Sequence, residues 1–80
     1  MNSEKKPRQI IDMMGIDRFS ERLLYVMNGE SNRSFAKLTG LSEAVIRNYL
    51  NGKTQPTLDK LKIIAKASGY TAEWLATGID

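Results

Sequence analysis

The fold of this 80-residue chain is decided by residues 32–51, which read NRSFAKLTGLSEAVIRNYLN. Apolar residues in this stretch recur at three- and four-residue intervals, which is typical of short helices. Ala36 has the small side chain that two closely crossing helices require, and Gly40 allows the left-handed backbone of a tight turn. The apolar residues expected to close the core between the helices are Leu41, Ile46 and Tyr49. The stretch therefore predicts two short helices that meet across a sharp turn.

The same pattern continues on both sides of this stretch. Capping side chains precede the apolar stripes and glycines follow them, as expected at helix starts and stops. The expected caps are Asp17, Ser31, Ser42, Thr57 and Thr71, and the expected stops are Gly29, Gly40, Gly52, Gly69 and Gly78. The residues expected to face inward include Phe19, Leu23, Val26, Met27, Phe35, Leu38, Tyr49, Leu50, Leu58, Leu61, Ile64, Ala65, Trp74 and Leu75. No strand-like alternation is visible, so the sequence predicts a compact, all-α domain of five helices.

Composition excludes several classes of function. The chain has no cysteine and no histidine, so disulfides, Cys/His zinc sites and Cys- or His-based catalysis are excluded. It shows no carboxylate pair in an evident pocket and no phosphate-binding loop, and we expect no enzyme activity, metal or cofactor. No apolar run approaches the roughly 20 residues of a membrane span, and no signal peptide is visible, which favours the cytoplasm. The net charge of +3 slightly favours a polyanionic partner, but it does not by itself indicate one.

The outer face of the second helix in the quoted stretch is polar. Its residues carry the donors, acceptors and methyl group that read base edges in the major groove of DNA. In two helices joined in this way, the N-terminal half of the second helix enters the groove. The predicted base-reading residues are therefore Ser42, Glu43, Ala44, Arg47 and Asn48. The alternative for Arg47 and Asn48 is that they lie on a helix face exposed to solvent. The alternative for Glu43 is a favourable interaction with the positive, N-terminal end of the helix dipole.

Phosphate contacts are expected at the margins of this unit. The free backbone N–H groups and the dipole at the start of the first helix favour an anion. The predicted phosphate-binding residues are Asn32, Arg33, Asn51, Lys53 and Thr54, and these position the protein without reading sequence. The alternative for Lys53 is a solvated loop lysine.

Three stretches together resemble the N-terminal domains of lambdoid phage repressors and the wider Cro/repressor-like, XRE-type helix-turn-helix regulators. The resemblance covers about residues 17–79. The stretches are Phe35-Ala36 with Gly40-Leu41-Ser42, then Tyr49-Leu50-Asn51-Gly52-Lys53-Thr54 with Pro56, and finally Glu73-Trp74-Leu75 with Thr77-Gly78.

This resemblance implies a lambda-repressor-like five-helix domain with the helix-turn-helix at helices 2 and 3. It also implies transcription regulation, often repression, through operator DNA bound as a homodimer in a bacterial cell, in association with the nucleoid. A polar residue opening the second helix of that family grips phosphate; Asn32 stands there, where Gln is commoner. Many relatives carry a C-terminal dimerisation or self-cleaving domain, so a longer parent chain with an oligomerisation domain is consistent with the resemblance.

Residues 1–16 are predicted to form an N-terminal arm with a short apolar segment, ahead of a DNA-binding domain at 17–80. Lys5, Lys6 and Arg8 resemble the basic arm of some phage repressors, and a solubilising tail is the alternative. The apolar segment from Ile10 to Met14 suits either extra core or a dimer surface. An antitoxin-type protein-interaction module of the same fold, with DNA binding secondary, is the alternative function.

Overall fold

The computed structural model describes residues 18–79, and every regular element in that range is helical. We number the helices in chain order. They are α1 (Phe19–Met27), α2 (Asn32–Thr39), α3 (Glu43–Leu50), α4 (Leu58–Ser68) and α5 (Ala72–Thr77). This confirms the predicted five-helix, all-α architecture.

Four of the five helices begin at the caps that the sequence predicts. The side chains of Ser31, Ser42, Thr57 and Thr71 each accept a hydrogen bond from the backbone N–H three residues further on. Each bond satisfies one of the N–H groups that a helix start leaves without a partner. The predicted cap Asp17 lies outside the described residues. Arg18 stands at the N-cap of α1, and its side chain makes no capping bond.

The end of α1 differs from the prediction, which placed the left-handed stop at Gly29. Asn28 is the C-cap, with φ of 51°, and Gly29 follows with φ of 87°. Asn tolerates the left-handed region better than most residues, because its short polar side chain bonds locally. Similarly, Asn51 is the C-cap of α3 in a right-handed conformation, one residue before the predicted stop at Gly52.

One buried core joins all five helices. Helix α3 packs against α1 and α2, while α5 packs against α1 and α4, and α2 also contacts α4. The core residues are Phe19, Leu23, Val26, Met27, Phe35, Ala36, Ile46, Tyr49, Leu61, Ile64, Trp74 and Leu75. The domain therefore holds α3 by its inner side and leaves its outer side to solvent.

Two leucines that were predicted to face inward are exposed. Leu38 is 57% exposed and Leu58 is 63% exposed. The inner side of α2 is marked by buried Phe35 and Ala36 and half-buried Thr39, and at 100° per residue Leu38 is rotated about 100° away from it. Leu58 is the first residue of α4, and it is likewise rotated away from the buried side that Leu61 and Ile64 mark.

A buried arginine, which the sequence analysis missed, links α1 to α5. Arg22 is fully buried, and its guanidinium donates to the carbonyl oxygens of Leu75 at 2.8 Å and Ala76 at 3.0 Å. These carbonyls belong to the last turn of α5, where backbone acceptors lack helical partners. The signal was available, because Arg22 lies on the apolar side of α1, between Phe19 and Val26.

Candidate nucleic-acid interface

The turn between α2 and α3 is built by a glycine and a threonine. Gly40 has φ of 80°, and its N–H donates to the Ala36 carbonyl at 2.8 Å. A Cβ at Gly40 would meet nothing within 4 Å, so the requirement for glycine is one of backbone conformation alone. The Thr39 hydroxyl donates to the Phe35 carbonyl at 2.9 Å and accepts from the Leu41 N–H at 3.2 Å. This hydroxyl bridge across the turn was not predicted.

The inner side of α3 anchors it to the core. Ile46 is fully buried and Tyr49 is 5% exposed. The Tyr49 ring meets the Phe19 ring of α1 edge-on, with the ring centroids 5.6 Å apart. Because α3 is held on this side by α1 and α2, its opposite side is the one that a large partner can reach.

The structure brings the five predicted base-reading residues together on that opposite side. Ser42, Glu43, Ala44 and Arg47 are exposed, and Asn48 is half-buried. Residues four apart on a helix are neighbours, so Glu43 lies beside Arg47, and Ala44 lies beside Asn48. The result is a mixed surface of hydroxyl, carboxylate, methyl, guanidinium and amide groups on two turns of one helix.

These side chains keep their hydrogen-bonding groups available. Neither Glu43 nor Arg47 makes a side-chain hydrogen bond or ion pair within residues 18–79. The Ser42 oxygen accepts from the Val45 N–H at 3.1 Å, and its hydroxyl proton remains free to donate elsewhere. The outer surface of α3 therefore offers both donors and acceptors.

Comparisons with known proteins agree with this geometry. Residues 27–75 match the model of the helix-turn-helix family. The chain belongs to that family, in its XRE-type branch. Over 65 residues it is also 38% identical to a Haemophilus influenzae protein described as an uncharacterized HTH-type transcriptional regulator. The aligned part covers 78% of this chain and 26% of that relative, so the chain spans about a quarter of the relative's length. No solved structure matches the chain.

Membership of the helix-turn-helix family indicates that the matched region is a DNA-binding domain. Helices α2 and α3, which the tight turn at Gly40 joins, both lie inside the matched range, in agreement with their assignment as the two helices of the motif. Within residues 18–79, no three or more acidic side chains come together in a group that could hold a metal ion. In the same range, no helix has the length and apolar character of a membrane span.

The predicted phosphate-binding residues of this helix-turn-helix lie on two segments. Asn32 opens α2 and is half-buried, and Arg33 beside it is exposed. Asn51, Lys53 and Thr54 are exposed in the loop after α3. The loop is held to α3, because the N–H groups of residues 51–53 donate to carbonyls of Arg47, Tyr49 and Asn48 at 2.9 to 3.1 Å. These side chains therefore extend from a backbone segment that is held in place relative to α3.

An acidic residue stands at the start of α2, where the sequence analysis expected only anion-binding features. The Glu30 carboxylate accepts a hydrogen bond from the Ser34 hydroxyl. The bond to Ser34 holds the negative charge beside the first turn of α2, where it opposes the binding of an anion. The available signal was an acidic residue directly before the predicted cap Ser31.

The predicted arm residues Lys5, Lys6 and Arg8 and the apolar segment from Ile10 to Met14 lie outside the described residues. The predicted division into residues 1–16 and 17–80 therefore stays a prediction.

Proposed function

We propose that this chain is the operator-binding domain of a transcription repressor of phage or prophage type, acting as a dimer on a two-fold DNA site. The observation that carries the proposal is the outer side of α3, where Glu43, Ala44, Arg47 and Asn48 lie together above a buried inner side. The relative's description as a transcriptional regulator and the resemblance to lambdoid repressors support it. Such a protein would act in the cytoplasm, on the nucleoid of a bacterial cell.

Each residue on the outer side of α3 has a base that suits its chemistry. Arg47 pairs with the N7 and O6 acceptors of guanine, and Asn48 with the N7 and N6 groups of adenine. Glu43 accepts from the N4 amino group of cytosine. The Ala44 methyl suits the thymine methyl, and the Ser42 hydroxyl serves either a base or a backbone group. Because the helix presents these groups within about two turns, one domain reads one half-site of a few base pairs.

Phosphate contacts hold the helix in register. Arg33 supplies a cation from α2, Asn32 an amide, and the loop after α3 supplies Asn51, Lys53 and Thr54. Phosphates are alike along the duplex, so these contacts add affinity without selecting a sequence. The arm residues Lys5, Lys6 and Arg8 would add charge to the same set.

A dimer follows from the half-site geometry. One α3 reads one half-site, and helix-turn-helix dimers place two recognition helices about one helical turn of DNA apart. The dimer contact would lie either on this domain or in the remainder of a longer protein, since the relative extends well beyond the matched region.

A protein partner is the second candidate function, and an open groove with aromatic side chains favours it. A groove of about 410 Å³ opens between the end of α1 and the α4–α5 connection. It is lined by Tyr25, Val26, Asn28, Ser68 and Tyr70. The Tyr70 ring stacks on Trp74 with centroids 5.0 Å apart, so this groove has a firm aromatic side. An antitoxin-type module would use such a surface and bind DNA only secondarily.

The deciding experiment is the selection of binding sites from a randomised duplex pool, at near-physiological salt with competitor DNA. The proposal expects an enriched inverted repeat whose half-sites lie about one helical turn apart. A single enriched half-site would mean that the domain reads a specific sequence and that dimerisation depends on a region outside this domain. No enrichment, with weak salt-sensitive retention alone, would overturn the operator-binding proposal and favour the protein-partner function.

A further inference from the structure

The outward side of α2 carries two cations one helical turn apart. Arg33 and Lys37 stand four residues apart, and both are exposed. Neither makes a side-chain hydrogen bond or ion pair within residues 18–79. Side chains at this spacing are neighbours, with Cβ atoms about 5–6 Å apart. Together they form a cationic strip on the first helix of the motif.

The first helix of a helix-turn-helix crosses the DNA backbone while the second lies in the groove. In the proposed complex, a cationic strip on that helix lies near a dense row of negative charges, about one per 3.4 Å of duplex axis for each strand. Lysine binds phosphate as a flexible point charge, and arginine binds it through a planar fork. The strip has the length and charge to hold adjacent backbone phosphates.

The charge at the start of α2 favours a phosphate further along the helix. Glu30 is bonded to Ser34, so its carboxylate is held beside the first turn and weakens the attraction of the helix start for an anion. Asn32, which opens the helix, is neutral and half-buried. On α2, a grip based on charge therefore comes from Arg33 and the next cation along the helix.

We propose that Lys37 is a phosphate-contacting, positioning residue, which acts with Arg33 to hold the DNA backbone against α2. This inference rests on the proposed DNA-binding function and adds a residue that the sequence analysis did not assign. Lys37 contributes affinity and register, and it reads no base.

The test compares Lys37→Gln with Lys66→Gln in the full chain. Lys66 is the matched control, because both lysines are exposed and both stand in the last turn of a helix. Dissociation constants are measured on the selected duplex and on a scrambled duplex between about 50 and 200 mM salt. Circular dichroism and urea unfolding of each variant verify that both remain folded.

We expect Lys37→Gln to weaken binding to both duplexes by the same factor. The slope of log K against log salt should become less steep by about 0.9, the value for one phosphate contact. The defect should therefore shrink about 3.5-fold over that fourfold rise in salt. Lys37→Arg should restore the wild-type slope, since the charge is kept.

If the wild-type protein binds DNA selectively but Lys37→Gln and Lys66→Gln give equal slopes of log K against log salt, this inference is overturned. The proposed function then still stands. A wild-type protein that selects no duplex would overturn the proposed function itself. A Lys37→Gln defect confined to the selected duplex would also overturn the inference, because it would make Lys37 a base-reading residue.

Discussion

Helices α2 and α3 are built alike and differ on their outer sides. Each has eight residues, and each begins at a serine whose oxygen accepts the N–H three residues on, at 3.0 Å for Ser31 and 3.1 Å for Ser42. Each buries one side in the common core. Outside, α2 presents the cations Arg33 and Lys37, whereas α3 presents a mixture of acid, base, amide and methyl groups.

In the proposed function, this difference lets one structural device serve two kinds of contact. Phosphates along a duplex are chemically identical, so a helix that rests on them needs positive charge and reach. Base edges differ in donors, acceptors and methyl groups, so a helix that reads them needs a varied set of side chains. The buried sides hold both helices to the core. The exposed sides suit α2 to phosphate contacts and α3 to base contacts.

The largest expected effect is a loss of stability when the packing that joins α3 to the core is disrupted. Ile46→Ala should lower the free energy of unfolding by about 2–5 kcal/mol, because Ile46 is fully buried where α3 meets the core. Leu38→Ala is the matched control on α2, and at 57% exposed it should cost no more than about 0.5 kcal/mol. Urea unfolding measures both. Similar losses for the two variants would show that Leu38 is buried and that the inner side of α2 is assigned wrongly.

The next effect separates the roles of the outer sides. Arg47→Ala should cost about 1–3 kcal/mol of binding to the selected duplex and relax preference at one base pair. Arg33→Ala should instead weaken binding to selected and scrambled duplexes alike, with a shallower salt dependence. Binding isotherms on both duplexes distinguish the two patterns. If Arg47→Ala also acted uniformly, Arg47 would join the phosphate-contacting residues.

Removing the two serine caps tests what the helices share. Ser31→Ala and Ser42→Ala should each lower the free energy of unfolding by about 1 kcal/mol, since each removes the acceptor for one backbone N–H. The expected difference lies in DNA binding. Only Ser42→Ala, at the start of the recognition helix, should change the base preference in a repeated site selection. Altered preference in Ser31→Ala would show that α2 also takes part in reading sequence.

The smallest effect concerns pH and the inner side of α3. Burial raises the pKa of the Tyr49 phenol above its ordinary value of 10.0. The folded protein therefore holds this proton more tightly than the unfolded chain, so the stabilisation is present below about pH 10 and is lost as pH rises through the folded-state pKa.

Between about pH 9 and pH 11 the urea midpoint of the wild type should therefore fall further than that of Tyr49→Phe. Tyr70, whose pKa burial also raises, is present in both proteins and cancels from the comparison. Equal falls in the two proteins would indicate that the Tyr49 hydroxyl is solvated in the fold.

Features that depend on a few neighbouring residues were predictable. The caps Ser31, Ser42, Thr57 and Thr71 bond to N–H groups three residues away, so residue type and position relative to the apolar stripe were enough. The outer side of α3 was predictable for the same reason: once Ile46 and Tyr49 face inward, helical geometry leaves Glu43, Ala44 and Arg47 outside.

Features that depend on packing were missed or predicted wrongly. Leu38 was expected in the core because it is apolar and three residues after Phe35, but the side of α2 that packs is centred elsewhere. Glu30 was overlooked because the start of α2 was considered only as an anion-binding end. For Leu38 several arrangements satisfied the local pattern, and the packing of the neighbouring helices selected one. The contact between Glu30 and Ser34 is local, so it could have been found from the sequence.

The sequence by itself determined the five helices, four of their N-caps, the glycine turn between α2 and α3 and the polar face of α3, and it indicated the family. These follow from contacts within about four residues, where chain geometry leaves few alternatives. Tertiary structure alone decided which groups the guanidinium of Arg22 meets, the carbonyls of Leu75 and Ala76, 53 and 54 residues away, and that Leu38 faces solvent. Which distant groups meet depends on how all the apolar sides pack at once, and no local spacing of residues encodes that outcome.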